Sequence, residues 1–348
     1  MASFSEIPEG CIAEILSLTT PADACRAAVI AWRFKSAADS DGVWERFLPS
    51  DHSEIVARSV SPVVHATKKQ LYFGLCDSPI LIDGGKMSFA LTKHNGRKCF
   101  MLQARELSIA WKDTPYYWKW RSLPESRSLS LSLSLPTPTC GTSCHDLYIS
   151  LKKIVHTSPD HPHPSSHRPF SVVINDQYLR MCRFSEVAEL VSVFWLDIGG
   201  KIGTKLLSPK TTYGAYLVFK LGEQPYGLDY PAKAVVRFAR DREYEAEVGL
   251  GELGEDGIST VYLTSPGISR VRRRRGIYDM AMREPEANAR LVQNRKDGWK
   301  EIELGEFFND EGDDDYVKMR LMEIKDQHRK GGLIVEGIEV RPKVEVIS

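Results

Sequence analysis

Three groups of residues in this sequence have types and spacing that could do chemistry. Cys140, Cys144 and His145, with Cys182 or the later histidines, offer the thiolates and imidazoles that zinc takes. Their Cys-x3-Cys spacing is loose, a second pair is missing and the histidines sit among prolines, so no metal site is expected. Gly249–Gly257 is glycine-rich, and Gly249, Gly251 and Gly254 have the Gly-x-Gly-x-x-Gly spacing. Its acidic surroundings would repel a phosphate, so it reads as a loop. Glu301 and Glu303 could act as an acid–base pair, yet they alternate with Ile302 and Leu304. That pattern reads as the wet face of a strand. Gly-x-Ser-x-Gly, the phosphate-loop pattern and His-Glu-x-x-His are all missing from the sequence. The expectation is a non-catalytic protein without a cofactor.

The elements around these residues are those of a folded domain or two. The chain has 348 residues and 42% hydrophobic residues, enough for a substantial core. Basic and acidic residues number 46 each, so the formal net charge is zero. That argues against a general nucleic-acid or membrane-surface role, because both need a positive field. The clusters Arg272–Arg275 and Asp313–Asp315 read as solvated loops. The first residues show no signal-peptide pattern, and no window reaches the length of a membrane span. Seven cysteines without regular spacing do not form a secreted disulfide framework, which points to a reduced compartment. A cytoplasmic and/or nuclear protein is therefore expected.

Residues 4–48 read as short helices. Pro8, Ile12, Ile15 and Leu16 form an apolar stripe at helical spacing behind an early proline. Thr20, Pro21 and Asp23 read as N-cap, first helical residue and favourable charge at a second helix start. The alanine-rich run Ala24–Ala31 reads as helical, Ser36–Asp41 holds a third boundary, and Val43, Trp44 and Phe47 make another apolar face. Such short helices cannot bury their apolar surface against one another. Either the rest of the chain covers them, as a helical cap would be covered, or a partner does.

From about residue 86 the texture becomes β. Leu107, Ile109 and Trp111 alternate, as do Val317, Met319 and Leu321. Thr212–Leu221, Ser259–Leu263 and Gly332–Pro342 are rich in β-branched and aromatic residues. Asp83-Gly84-Gly85, Gly199-Gly200, Asp256-Gly257, Asp297-Gly298 and Gly331-Gly332 read as turns between strands. Many short strands predict an antiparallel β-sandwich or jelly roll.

The order Ile7-Pro8, Ile15-Leu16, Leu18, Pro21-Ala22-Asp23, Ser36–Asp41 and Val43-Trp44 resembles the F-box of plant proteins. Six later motifs, from LCDSPILIDGGKMSFAL to KGGLIVEGIEVRPK, resemble the phloem protein 2 domain shared with Nictaba-like lectins, and together with the F-box its B-type branch. The resemblance covers residues 1–127 and 184–343. It implies an α+β multidomain protein: an all-α F-box over 1–50, a helical linker over 51–85 and an antiparallel β-sandwich over 86–343 that is jelly-roll-like.

For function, the resemblance implies a substrate-recognition adaptor of a Skp-cullin-F-box ubiquitin ligase. Pro8, Ile12, Ile15, Leu16, Pro21 and Val43 would contact a Skp-type linker protein, and through it a cullin. The sandwich would recruit glycoproteins. The alternative is an intracellular lectin for N-acetylglucosamine oligomers or N-glycan cores, independent of ubiquitination. Trp111 and Trp118 match tryptophans implicated in sugar contact in the lectin branch, with Trp118 the better candidate because Trp111 continues a core face. The sequence departs from the family at Trp32-Arg33-Phe34, which is bulkier, at Ala90, where relatives often carry tryptophan, and at Gln327-His328, which replaces an aromatic stretch.

Residues 128–183 do not fit that pattern. The block opens with four Ser-Leu pairs, holds five of the nine histidines and can bury little. A CT dinucleotide repeat read in any frame gives alternating serine and leucine. The block therefore reads as translated intron kept in frame, and an unstructured loop of this length is unusual inside a domain.

Overall fold

The structure, a computed structural model, describes residues 7–122, 184–239, 257–264, 288–312, 316–324 and 328–343. The block 128–183, with its cysteine–histidine cluster, lies outside the described residues, as do Arg272–Arg275, Asp313–Asp315 and all of Gly249–Gly257 but its last residue. Among the described residues no helix is long and apolar enough to cross a membrane.

Among the described residues six helices lead the chain: α1 (Glu9–Ser17), α2 (Pro21–Ala27), α3 (Trp32–Asp39), α4 (Asp41–Phe47), α5 (His52–Ala57) and α6 (Lys68–Asp77). Local chemistry sets their ends. Pro8 is the N-cap of α1 and its carbonyl receives the amides of Cys11 and Ile12. Thr20 caps α2: its Oγ1 accepts from the Asp23 amide (3.1 Å) and donates to the Asp23 carboxylate (2.7 Å). That helix stops at Ala27, four residues before the end of the alanine-rich run; Val29 and Ile30 lie in the turn beyond it and are exposed. Ser40 separates α3 from α4.

Fifteen strands follow among the described residues. They are β1 (Ile80–Ile82), β2 (Met87–Leu91), β3 (Lys98–Gln103), β4 (Ser108–Ile109), β5 (Trp118–Ser122), β6 (Glu186–Leu190), β7 (Leu196–Gly203) and β8 (Thr211–Tyr226). Then come β9 (Ala232–Ala239), β10 (Ile258–Tyr262), β11 (Arg290–Leu291), β12 (Gln293–Asn294), β13 (Lys300–Asn309), β14 (Tyr316–Glu323) and β15 (Gly331–Pro342). The sheet region therefore begins at Ile80, ahead of residue 86. A nine-stranded sheet runs β1-β2-β3-β15-β8-β13-β12, with β6 also on β15 and β5 on β6. A six-stranded sheet runs β11-β10-β9-β14-β7-β4; among the described residues its β10–β11 pair is parallel and its other pairs antiparallel.

The two sheets pack face to face. Phe238 of β9 meets Phe307 of β13 edge-on, with ring centroids 5.8 Å apart. Val317, Met319 and Leu321 point inward as their alternation predicts, as do Ile302 and Leu304. Two glycine pairs differ from expectation. Gly199-Gly200 is no turn but lies inside β7, where a Cβ on Gly200 would come within 3.2 Å of Leu102, Leu107 and Ile338. The glycine permits close approach of the sheets. Gly331-Gly332 opens β15 as a bulge, with Gly332 at φ 79°. The outer face of β13 is not wet at Glu301, which is buried beneath Arg295 (2.7 Å) and Arg341 (2.5 Å). These hydrogen-bonded guanidiniums outweigh burial and hold its carboxyl below the usual range.

Helices and sheets share one core. Tyr72 of α6 is fully buried against Trp44, and its hydroxyl donates to the carbonyls of Thr92 (3.1 Å) and Lys93 (3.2 Å) beyond β2. Lys98 of β3 reaches Asp51 (2.8 Å), and Arg58 grips Asp83 through two hydrogen bonds of 2.7 and 2.5 Å. The Arg58 guanidinium holds the Asp83 carboxyl below its ordinary 3.8. Because the folded value is depressed, the pair stabilises the fold above pH 3.8 and its contribution is lost as pH falls through the folded value. For this part-exposed pair, Asp83→Asn should destabilise the protein by about 0.5–1 kcal/mol at neutral pH. Denaturant melts at a series of pH values should show the gap from wild type closing in acid; a constant gap would contradict the assignment.

Candidate functional site

Two surfaces come forward. The first is apolar and helical. Ile12, Leu16, Pro21 and Val43, expected at a partner contact, are buried within the chain. They lie on the inward sides of α1, α2 and α4 and pack the helices together. Pro8 is exposed, and Ile15 is 56% exposed. Other apolar side chains turned to solvent are Leu18 (69%), Val29, Ile30 and Trp32 (72%). They cluster in sequence at the C-terminal end of α1 and in the connection from α2 to α3.

The second surface is an aromatic recess of about 400 Å³ lined by Trp111, Tyr117, Phe194 and Trp195. The Trp111 ring lies 5.9 Å from Trp195 at 30° and 5.5 Å from Tyr117 at 43°. Trp111 does not continue the core face of Leu107 and Ile109. Its backbone turns to φ 60°, which ends the alternation and lifts the ring out to 43% exposure. Trp118, the stronger candidate from sequence, is 2% exposed in β5 and offers no face to a ligand. Its Nε1 donates to the carbonyl of Ala110 (3.1 Å), the residue before Trp111. Trp118 thus holds the turn that presents Trp111.

Backbone hydrogen bonds fix both walls. The amide of Thr114 donates to the Trp111 carbonyl and that of Tyr117 to Thr114, both 2.9 Å. Lys112 Nζ ties back to the carbonyls of Arg105 and Leu107. On the far wall, the amide of Val191 donates to Tyr117, and Val193 pairs with Lys330 in both directions. Lys330 Nζ, buried against the Glu323 carboxylate, donates to the Phe194 carbonyl (2.6 Å). Burial pushes the Lys330 ammonium down, to about 8, and the touching carboxylate opposes that shift. The Arg329 guanidinium sits over the Phe194 ring at 5.3 Å. Flat exposed rings with polar groups on the rim can stack an apolar sugar face and hydrogen-bond its hydroxyls.

Tyr117, Phe194 and Trp195 were not singled out in the sequence. The signal was the pair Phe194-Trp195 immediately before β7, because adjacent strand-edge residues cannot both face the core. The two tryptophans should separate in experiment. Trp118→Ala should cost about 3–5 kcal/mol in denaturant unfolding. Trp111→Ala should cost under about 1 kcal/mol while changing the fluorescence of the neighbouring Trp195.

Among the described residues no group of three or more His, Cys, Asp or Glu is placed to hold a metal ion. The family model for phloem protein 2 matches residues 97–132 and 172–342, and its match breaks across 133–171, within the anomalous block. Three relatives from Arabidopsis thaliana are similar over nearly their whole length. F-box protein PP2-B10 is 35% identical, covering 97% of this chain and 94% of its own. F-box protein PP2-B15 is 36% identical, covering 97% and 96%. F-box protein VBF is 34% identical, covering 97% and 99%. By these matches, and by its β-rich architecture behind a helical N-terminus, the chain belongs to the phloem protein 2 family, among relatives named F-box proteins of the PP2-B type.

Proposed function

We propose that this protein is a non-catalytic substrate-recognition adaptor of a Skp-cullin-F-box ubiquitin ligase. Its leading helices form the F-box, its jelly-roll-like sandwich is lectin-like, and glycoproteins are recruited for ubiquitination. The observation that carries this reading is the set Ile15, Leu18, Val29, Ile30 and Trp32, which stays in solvent although α6 docks the helices onto the sheets. Exposed apolar side chains of this size, concentrated in one short stretch of chain, are what a partner protein would cover. The contact residues for a Skp-type linker are then Ile15 and its exposed neighbours, with Pro8 at the rim. Ile12, Leu16, Pro21 and Val43 support them from beneath. Among the described residues Cys11, Cys25 and Cys76 carry free thiols, which fits a reduced compartment, cytoplasmic and/or nuclear.

The aromatic recess favours a second reading, an intracellular lectin for N-acetylglucosamine oligomers or N-glycan cores that acts without the ligase. Both readings hold together if the lectin surface is the substrate receptor.

Capture with an immobilised Skp-type protein tests the first reading. The double variant Ile15→Asp, Leu18→Asp should weaken capture by about 30-fold or more while leaving the melting temperature near wild type. Undiminished capture would sink it. Retention on a chitin-oligomer resin, lost in Trp195→Ala, tests the second.

A further inference from the structure

The aromatic recess has a polar neighbour. A second recess, of about 420 Å³, is lined by Glu106, Ser108, Lys112, Asp113 and Thr114 and shares Trp111 with the first. Trp111 is thus the common wall of the two, and each has the size of a site for a small ligand unit. Residues 111–114 form a tight turn, closed by the Thr114 amide on the Trp111 carbonyl (2.9 Å), with Lys112 and Asp113 at its centre.

A lysine and an aspartate side by side would ordinarily offset each other. Here the lysine is drawn away. Lys112 Nζ donates to the carbonyls of Arg105 and Leu107, both at 2.9 Å, which takes up two of its three N–H groups. Glu106 faces Lys86 at 4.0 Å. Asp113 differs from both. It is exposed, and among the described residues no hydrogen bond or ion pair engages its carboxylate. The same is true of the side-chain hydroxyls of Ser108 and Thr114. The recess therefore sets an unpaired carboxylate and two open hydroxyls beside an exposed indole. An ammonium answers both features: it forms a charge-assisted hydrogen bond with the carboxylate and is attracted to the indole ring. A neutral hydroxyl or acetamido group brings no charge to either.

We propose that the polar recess is a subsite for an amino-sugar unit carrying a free ammonium, that Asp113 selects it, and that the preferred ligand is a partly deacetylated oligosaccharide running across Trp111. This inference rests on the carbohydrate reading of the aromatic recess. A fully acetylated oligomer would still stack on the aromatic rings but would leave the Asp113 carboxylate without a counter-charge.

Isothermal titration of the full-length protein at about pH 6, where carboxylate and amine are both charged, tests it. The ligands are a fully acetylated chito-tetraose and two versions of it with one terminal unit deacetylated, at one end or at the other. One of the two should bind about fivefold tighter or more than the acetylated parent at low salt, and added salt should erase the difference. Asp113→Asn should lose the advantage and keep the affinity for the parent, whereas Glu106→Gln should keep both. Both positions are exposed, and an unchanged melting temperature confirms that the fold is intact. Equal binding of all three oligomers would overturn the ammonium subsite and leave the lectin reading standing. An advantage that survives in Asp113→Asn, or that disappears in Glu106→Gln, would overturn the assignment to Asp113. Binding of none of the oligomers would overturn both readings.

Discussion

Tyr72 decides which way the leading helices face. Its ring is wedged against Trp44 and Phe73, and its hydroxyl spans to two carbonyls of the turn between β2 and β3. Burial pushes the phenol far above its ordinary value, so it remains a donor across the whole physiological range. Gly96 in that turn completes the seam. It has φ 67°, and a Cβ there would lie 2.4 Å from the Phe47 carbonyl. A side chain at Gly96 would push α4 off the sheet. Because the seam occupies α4 and α6, the exposed end of α1 and the α2–α3 connection are left uncovered. The apolar surface open to a partner is a consequence of where the helices are glued.

The same logic of a buried group fixing an exposed one recurs at the recess. Trp118 and Lys330 are both sequestered, and each ends on a backbone carbonyl next to a solvent-facing aromatic. A buried polar atom without a partner is costly, so each carbonyl is held where the donor can reach it. The rings of Trp111 and Phe194 are thereby held in place by the scaffold, which would lower the ordering entropy of binding under the proposed carbohydrate reading. Binding surfaces on loops gain precision in this way from the scaffold beneath them.

Much of this was legible in the sequence. The cap at Thr20, the break at Ser40, the strands around Thr211–Tyr226 and Gly331–Pro342, and the inward alternation of Val317, Met319 and Leu321 follow from spacing and propensity. Burial direction was harder to read. Ile12 and Ile15 are three residues apart, yet one is core and the other solvent, because which edge of the α1 stripe is covered depends on how α3 and α4 pack against it. Trp111 is exposed and Trp118 buried, the reverse of what alternation suggests, for the same kind of reason. A single positive φ reverses the side that a tryptophan faces, and alternation carries no trace of it. Gly199-Gly200 resembled a turn because glycine marks both sharp bends and close contacts. Only the opposing Ile338 and Leu102 distinguish the two.

The anomalous block is placed where the fold tolerates length. Strands β5 and β6 pair antiparallel, and their register sets Ser122 opposite Glu186. The chain between those two residues leaves and re-enters the sheet at adjacent points, whatever lies between. Closure entropy grows only with the logarithm of loop length. Were it a flexible loop, extending the connection from roughly 7 to roughly 63 residues would cost only about 2 kcal/mol. That is well within the stability of a domain this size, and it falls on two strands whose inward residues Trp118, Val187 and Leu190 are already buried. A stretch outside the family match, 133–171, can therefore interrupt the sequence of the sandwich without interrupting its core. The pairing of β5 with β6, which positions the Trp118 indole beneath the recess, is the part of the binding surface that carries the entropic burden.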